Sequence, residues 1–246
     1  MALTALFFMW GFITVMNDFL INSFKSIFNL SPTQLSVIQL SFFGSFFCIS
    51  LLYFILSNVL KTDPINKIGY KNGMALSLII CGIGCLGFYF AAAAESYPQF
   101  IMALFILAAG VTCLQICANP YAAILGPENS ASSRLNLAQG LNSLGTTIGP
   151  IVGNILIYVI FIKQSKLEAI GNAYLIYGFI FISMAVAVKL SKMPNIQEKT
   201  SSFSTKGIFQ NRNLRFGILA IFCYVGSEVA IGSWIGTLAK DRKSVV

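Results

Sequence analysis

The sequence predicts an all-α integral membrane fold with seven spans, a six-helix unit followed by one further helix. Three observations carry that expectation. Of 246 residues, 57% are apolar and 10% are charged, whereas soluble domains carry about 25% charged residues. The apolar residues gather into runs of about 20 or more, the length a helix needs to cross the hydrocarbon layer. The 16 Lys and Arg fall mostly in the breaks between those runs, where they act as a topology signal.

The same composition removes whole classes of function. A mean hydropathy of +0.79 excludes disorder, which needs low hydrophobicity. The chain has no histidine, so Ser-His-Asp and Cys-His catalysis and the commonest zinc ligand are absent. No P-loop sequence occurs, which argues against an ATP-driven pump. The net charge of +8 lies between spans, so it reads as orientation and not as a nucleic-acid-binding face. An enzyme is not expected; an integral-membrane enzyme would need a clustered carboxylate or a serine-lysine pair on one membrane face.

The spans run over 2–21, 34–60, 73–94, 98–125, 135–162, 171–188 and 214–238. The first lacks a basic leader and a small-residue cleavage site and carries Asn17 and Asp18 near its end, so it is a retained helix and not a signal peptide. The second opens on Ser31-Pro32-Thr33-Gln34, an N-cap serine with proline at the first helical position and glutamine three residues on. In the third, Gly82-Ile83-Gly84-Cys85-Leu86-Gly87 spells a dinucleotide fingerprint, but mid-span glycines serve close helix packing instead. Tyr97-Pro98 and Gly126-Pro127 mark the turns around the fourth span. In the fifth, Gly145, Gly149 and Gly153 form two overlapping G-x-x-x-G steps, again a packing signal. The six cysteines sit inside spans with no C-x-x-C pair, so neither a metal site nor a disulfide framework is expected.

The breaks after even-numbered spans hold nine basic residues, Lys61, Lys67, Lys71, Arg134, Lys189, Lys192, Lys199, Lys206 and Arg212; those after odd-numbered spans hold three, Lys25, Lys163 and Lys166. The even breaks are therefore cytoplasmic and the N-terminus lies inside. The expected organisation is a six-span bundle over 1–188, a polar cytoplasmic linker over 189–213, a seventh span over 214–238 and an atypical basic tail over 239–246. That tail, with Lys240-Asp241-Arg242-Lys243, runs against the orientation rule, because an odd-numbered span delivers it to the outside.

Polar residues within the spans are the candidate functional groups. An ionised Asp18 in the membrane costs roughly 2.5–3.5 kcal/mol, so it is expected to be buried toward a central cavity and to bind and release a cation. Gln115 and Asn119 share a helix face, and Pro120 is expected to break the fourth span beside them. Gln139, Asn142 and Thr146 step by three and four and form one stripe. Amides both donate and accept, which suits a polyhydroxylated ligand; interhelical bonding explains the stripe equally well. Glu228 is a second intramembrane acid, on a face with Tyr224 and Ser227.

The stretches Phe8-Met9-Trp10-Gly11-Phe12 with Asn17-Asp18, Gln115-Ile116-Cys117-Ala118-Asn119-Pro120-Tyr121, Leu125-Gly126-Pro127-Glu128, and Arg134-Leu135-Asn136-Leu137-Ala138-Gln139 with Asn142-Ser143-Leu144-Gly145 resemble the fucose and glucose/galactose permeases. These are sugar:cation symporters of the major facilitator superfamily. The resemblance implies a major-facilitator-type six-helix bundle plus the first helix of a second bundle, with one monosaccharide bound between two halves. It implies cation coupling at Asp18; Glu228 is a further coupling candidate on its own chemistry. It places Gln139 and Asn142 at the sugar; Gln115 and Asn119 are expected to join them as substrate-binding groups, with Asn17 and Thr146 in support. Trp10, Phe42 and Phe43 are candidates for stacking on the sugar ring. Fucose-type members carry a glutamate where this chain has Gln115, so a two-carboxylate proton relay does not carry over. Gln115, with Glu228-Val229-Ala230-Ile231-Gly232-Ser233, looks more like the glucose/galactose branch. A hexose substrate follows, with a coupling proton or sodium ion and no other cofactor. The remaining expectations are a bacterial inner membrane, and a shortened chain that needs a C-terminal half or a second copy as partner.

Overall fold

The long apolar runs are all α-helical in the computed structural model, which describes residues 2–196 and 210–243. In chain order the helices are α1 (Ala2–Ile27), α2 (Pro32–Leu60), α3 (Pro64–Ile68), α4 (Tyr70–Ala93), α5 (Tyr97–Ile124), α6 (Ala131–Ile155), α7 (Lys166–Leu190) and α8 (Arg212–Lys243). Seven are long and apolar enough to cross a membrane, α3 being the short exception. The described residues contain no strand. The chain divides into two units, 1–201 and 202–246.

Local chemistry fixes the helix ends in the first unit. Ser31 and Gln34 close the expected capping box: the Gln34 amide donates to Ser31 Oγ at 3.3 Å and the Ser31 amide to Gln34 Oε1 at 2.9 Å. Ser165 and Glu168 do the same for α7, a box the sequence reading passed over. α1 continues to Ile27, beyond the expected end at residue 21, because Phe24 is buried and meets Phe100 with ring centroids 4.8 Å apart. α3 lies in the break between the second and third expected spans. Asp63 caps it by accepting from the Ile65 amide at 2.8 Å and takes the Tyr53 hydroxyl as well, and Ile65 is buried. At the end of α6, residues Leu156–Ile160 form a π-helical turn, with the Phe161 amide donating to the Leu156 carbonyl.

Close packing follows the small residues. α4 is antiparallel to both α5 and α7: a Cβ on Gly84 would stand 2.5 Å from the Leu107 nitrogen, and one on Gly82 would stand 2.7 Å from Ile182 Cγ1. These glycines belong to the apparent dinucleotide fingerprint, which therefore lies inside one helix between two others. α1 and α6 run parallel, and here Gly11 and Gly145 admit no side chain; a Cβ would collide with the Asn142 and Phe8 carbonyls respectively. Such contact is how helices associate where lipid is as apolar as their own surfaces. α2 lies parallel to α5, with Ser41 and Ser45 hydroxyls donating to the Ile101 and Phe105 carbonyls at 3.1 and 2.9 Å. Phe7, Phe88, Phe100, Tyr177 and Phe181 fill the core, while Leu40, Phe47, Phe90, Met102 and Phe179 stand exposed on the surface a bilayer would cover.

The start of the expected linker is ordered against this bundle. The Tyr121 hydroxyl donates to the Pro194 carbonyl at 3.0 Å, Lys71 Nζ to the Ser191 carbonyl at 2.6 Å, and Met193 and Ile196 pack on the core. Residues 197–209 of that linker and 244–246 of the expected tail lie outside the described residues. In the second unit α8 begins at Arg212 and continues into the tail region as far as Lys243. None of its apolar window from Arg212 to Ile231 is buried.

Candidate functional site

Among the described residues, the candidate polar side chains of the first unit meet in two places. The first lies between α1 and α2. Adjacent helical residues point about 100° apart, so Asn17 turns into the bundle, 2% exposed, while Asp18 stands exposed beside it. Within this first unit the neighbour Asn17 takes the inward position. Gln39 of α2 joins the two. Its Nε2 donates to Asp18 Oδ1 at 3.2 Å, and its Oε1 accepts from Asn17 Nδ2 at 3.3 Å. Asn17 Oδ1 is buried and accepts no hydrogen bond among the described residues.

The second place lies between α5 and α6. Gln139 Nε2 donates to Asn119 Oδ1 at 3.5 Å, a long bond, and Gln115 is half-buried one turn before Asn119. Pro120 does not break α5, which runs through it to Ile124. It nevertheless withholds the donor that the Ile116 carbonyl would take, one residue after Gln115.

The expected stripe on α6 divides. Gln139 is exposed, but Asn142 Nδ2 donates to the Phe7 carbonyl of α1 at 3.1 Å, so it helps hold the glycine contact between those helices. Thr146 Oγ1 donates to the Ser143 carbonyl of its own helix at 2.8 Å. The Asn142 backbone lies against Gly11, seven residues before Asp18 on α1, so the two residues differ in depth by roughly 10 Å. Phe42 is fully buried and has no face for a ligand, whereas Trp10 and Phe43 are half-buried. Glu228 is exposed on α8 in the second unit and accepts a hydrogen bond from Tyr224, one turn before it.

A separate open cavity of about 280 Å³ lies between the end of α4 and the start of α7, lined by Tyr89, Ala92, Ala93, Gln164, Glu168 and Asn172. It holds none of the candidate residues. Two of its polar groups are already engaged, Asn172 Nδ2 with Gln164 Oε1 at 2.7 Å and Glu168 in the α7 cap.

Gln39 is the residue sequence reasoning missed. Its signal was available: it is the one amide between Gln34 and Asn58 in an otherwise apolar and hydroxyl-bearing run, and an amide in a span needs a partner.

Membrane-crossing helices packed through glycine, with carboxylate and amide groups inside the spans, define a multi-pass membrane protein. Residues 1–244 match the Major Facilitator Superfamily, and the chain belongs to that family. It is 41% identical to the glucose/galactose transporter of Brucella abortus, over 98% of this chain and 58% of that protein. It is 32% identical to the L-fucose-proton symporter of Escherichia coli, over 95% of this chain and 57% of that protein. A crystal structure of the E. coli fucose:proton symporter superposes with a TM-score of 0.74 at 30% identity, covering 95% of this chain and 60% of that one. The chain thus spans somewhat over half the length of these relatives, all of which are transporters and none an enzyme.

Proposed function

We propose that the protein serves cation-coupled uptake of a hexose by alternating access, with glucose and galactose preferred and fucose next. The observation that carries this reading is 41% identity to a glucose/galactose transporter along almost the whole chain. The site chemistry supports it. Gln115, Asn119 and Gln139 offer amides that donate to and accept from sugar hydroxyls, with Asn142 at the α1 contact beside them. Asp18, the one acid inside the first six spans away from a helix cap, takes the coupling proton or sodium ion. Glu228 is a second coupling group and Thr146 a helix-stabilising support. Alternating access needs two repeats rocking about a shared site, so this bundle works against a C-terminal half or a second copy, in a bacterial inner membrane.

Uptake of labelled galactose by cells devoid of their own hexose carriers tests the substrate. Glucose should compete strongly and fucose weakly, and collapse of either the proton or the sodium gradient should abolish accumulation. Uptake of fucose with indifference to both hexoses would overturn the substrate assignment.

A further inference from the structure

The bonds among Asn17, Gln39 and Asp18 form a chain whose direction is dictated by one group. An ionised carboxylate only accepts hydrogen bonds. Asp18 therefore fixes Gln39 with its Nε2 toward α1, at 3.2 Å from Asp18 Oδ1. That leaves Gln39 Oε1 for Asn17, which must donate with Nδ2, at 3.3 Å. The cost falls on Asn17, whose Oδ1 is left buried and without a partner among the described residues. A buried acceptor left unsatisfied is a strained arrangement that another state relieves.

We propose that Gln39 is a positioning residue whose side-chain amide reverses when Asp18 takes up its cation, so that loading of Asp18 is passed to Asn17 inside the bundle. This rests on the reading of Asp18 as the coupling group. Whichever cation arrives, the demand on Gln39 is the same. A proton on Asp18 adds an O–H donor, for which Gln39 Oε1 is an acceptor within reach; a sodium ion is bound by oxygens and also draws Oε1. With Oε1 turned to Asp18, Nε2 faces Asn17 and donates to the Oδ1 that was unpartnered. The proton or ion enters and leaves at Asp18, no covalent bond of the relay breaks, and two hydrogen bonds exist in either state. Asn17 is 2% exposed on α1, beside Met16, which receives the Tyr177 hydroxyl of α7 at 3.8 Å. The reversal is therefore felt where α1 meets the rest of the bundle.

The other charges on the packed helices are engaged elsewhere or lie near the ends. α1 carries Lys25 in its last turn, and α2 and α5 carry no charged residue. Arg134 of α6 donates to the Ala122 and Pro127 carbonyls. On α7, Lys166 lies in the first turn, Glu168 is held in the cap, and Lys189 donates to Asn72. Among the tyrosines of these helices, Tyr53 donates to Asp63, Tyr97 to the Gln34 carbonyl and Tyr121 to the Pro194 carbonyl.

The test uses the whole protein, reconstituted in lipid with ¹⁵N in its glutamine and asparagine side chains. Gln39 and Asn17 amide resonances are assigned by their loss in Gln39→Glu and Asn17→Asp. Loading of Asp18 is read independently from its carboxyl infrared bands, identified by their loss in Asp18→Asn. On acidification or addition of sodium, whichever loads Asp18, both amide resonances should shift together, and both should stay fixed in Asp18→Asn. In Gln39→Leu, Asp18 should still load while Asn17 no longer responds. Should that variant fail to fold, the comparison of unaltered protein with Asp18→Asn decides alone. Loading of Asp18 with unmoved Gln39 and Asn17 resonances would overturn the relay and leave the coupling role standing. Infrared bands of Asp18 that respond to neither cation would overturn the coupling role, and the relay with it.

Discussion

Arg134 donates from Nε to the carbonyl of Ala122 across 3.0 Å, so that a side chain of α6 closes the C-terminus of α5. Its other nitrogens reach the Ala123 and Pro127 carbonyls and the Ser130 hydroxyl. The planar guanidinium thus satisfies carbonyls that a helix end leaves unpaired. Arg134→Lys keeps the charge and loses the fork. It should cost about 1.5–3 kcal/mol, the worth of a charged hydrogen bond, seen as a lower melting temperature of the purified protein. An unchanged melting temperature would reduce the residue to a topology signal.

Two glycines of α6 should respond in opposite senses. A Cβ on Gly145 would collide with the Phe8 carbonyl, whereas one on Gly140 meets no atom within 4 Å. Gly145→Ala should destabilise by about 1–3 kcal/mol through overpacking. Gly140→Ala should be neutral or stabilise by up to about 1 kcal/mol. Thermal unfolding of both variants under one condition checks the pair, and equal effects would contradict the parallel α1–α6 contact.

Sugar affinity should depend on Gln139 and Asn119 together. Either alanine substitution should weaken binding roughly tenfold, about 1.4 kcal/mol, and the double variant should fall short of the sum because the two side chains are bonded. Thr146→Val should leave affinity unchanged, since Thr146 donates to its own helix. Titration of sugar-dependent tryptophan fluorescence measures all four. A loss with Thr146→Val equal to that with Gln139→Ala would restore the continuous stripe.

Tyr121→Phe should release the segment after α7. The Tyr121 hydroxyl donates to the Pro194 carbonyl, a bond worth about 1 kcal/mol. Limited trypsin digestion at Lys192 should accelerate roughly fivefold, the Boltzmann factor of that loss. An unaltered cleavage rate would mean that Met193 and Ile196 hold the segment unaided.

What was legible in the sequence follows from how each feature is encoded. All seven spans were, because hydropathy is a sum over about 20 residues and one misplaced side chain hardly alters it. The Ser31–Gln34 cap was, because its partners are three residues apart. α3 was not, since it depends on Asp63 finding Tyr53 and on Ile65 finding the core. Asn119 and Gln139 were chosen as separate faces, and their pairing across two helices is a fact of packing. Asn142 and Thr146 share a face by periodicity, yet their hydrogen bonds go to the Phe7 and Ser143 carbonyls, which periodicity does not encode. Asp18 was found from its charge, while Gln39, its partner across the α1–α2 contact, carries no charge to draw attention.

The central claim, that Asp18 couples a cation to sugar movement, is tested most directly by accumulation and exchange measured side by side in proteoliposomes of the whole protein and of Asp18→Asn. Under an imposed proton or sodium gradient, the unaltered protein should concentrate labelled galactose. Asp18→Asn should fail to concentrate it while still exchanging internal for external sugar, because the amide preserves the shape of the site and cannot carry the cation's charge balance. Accumulation by Asp18→Asn equal to that of the unaltered protein would contradict the account.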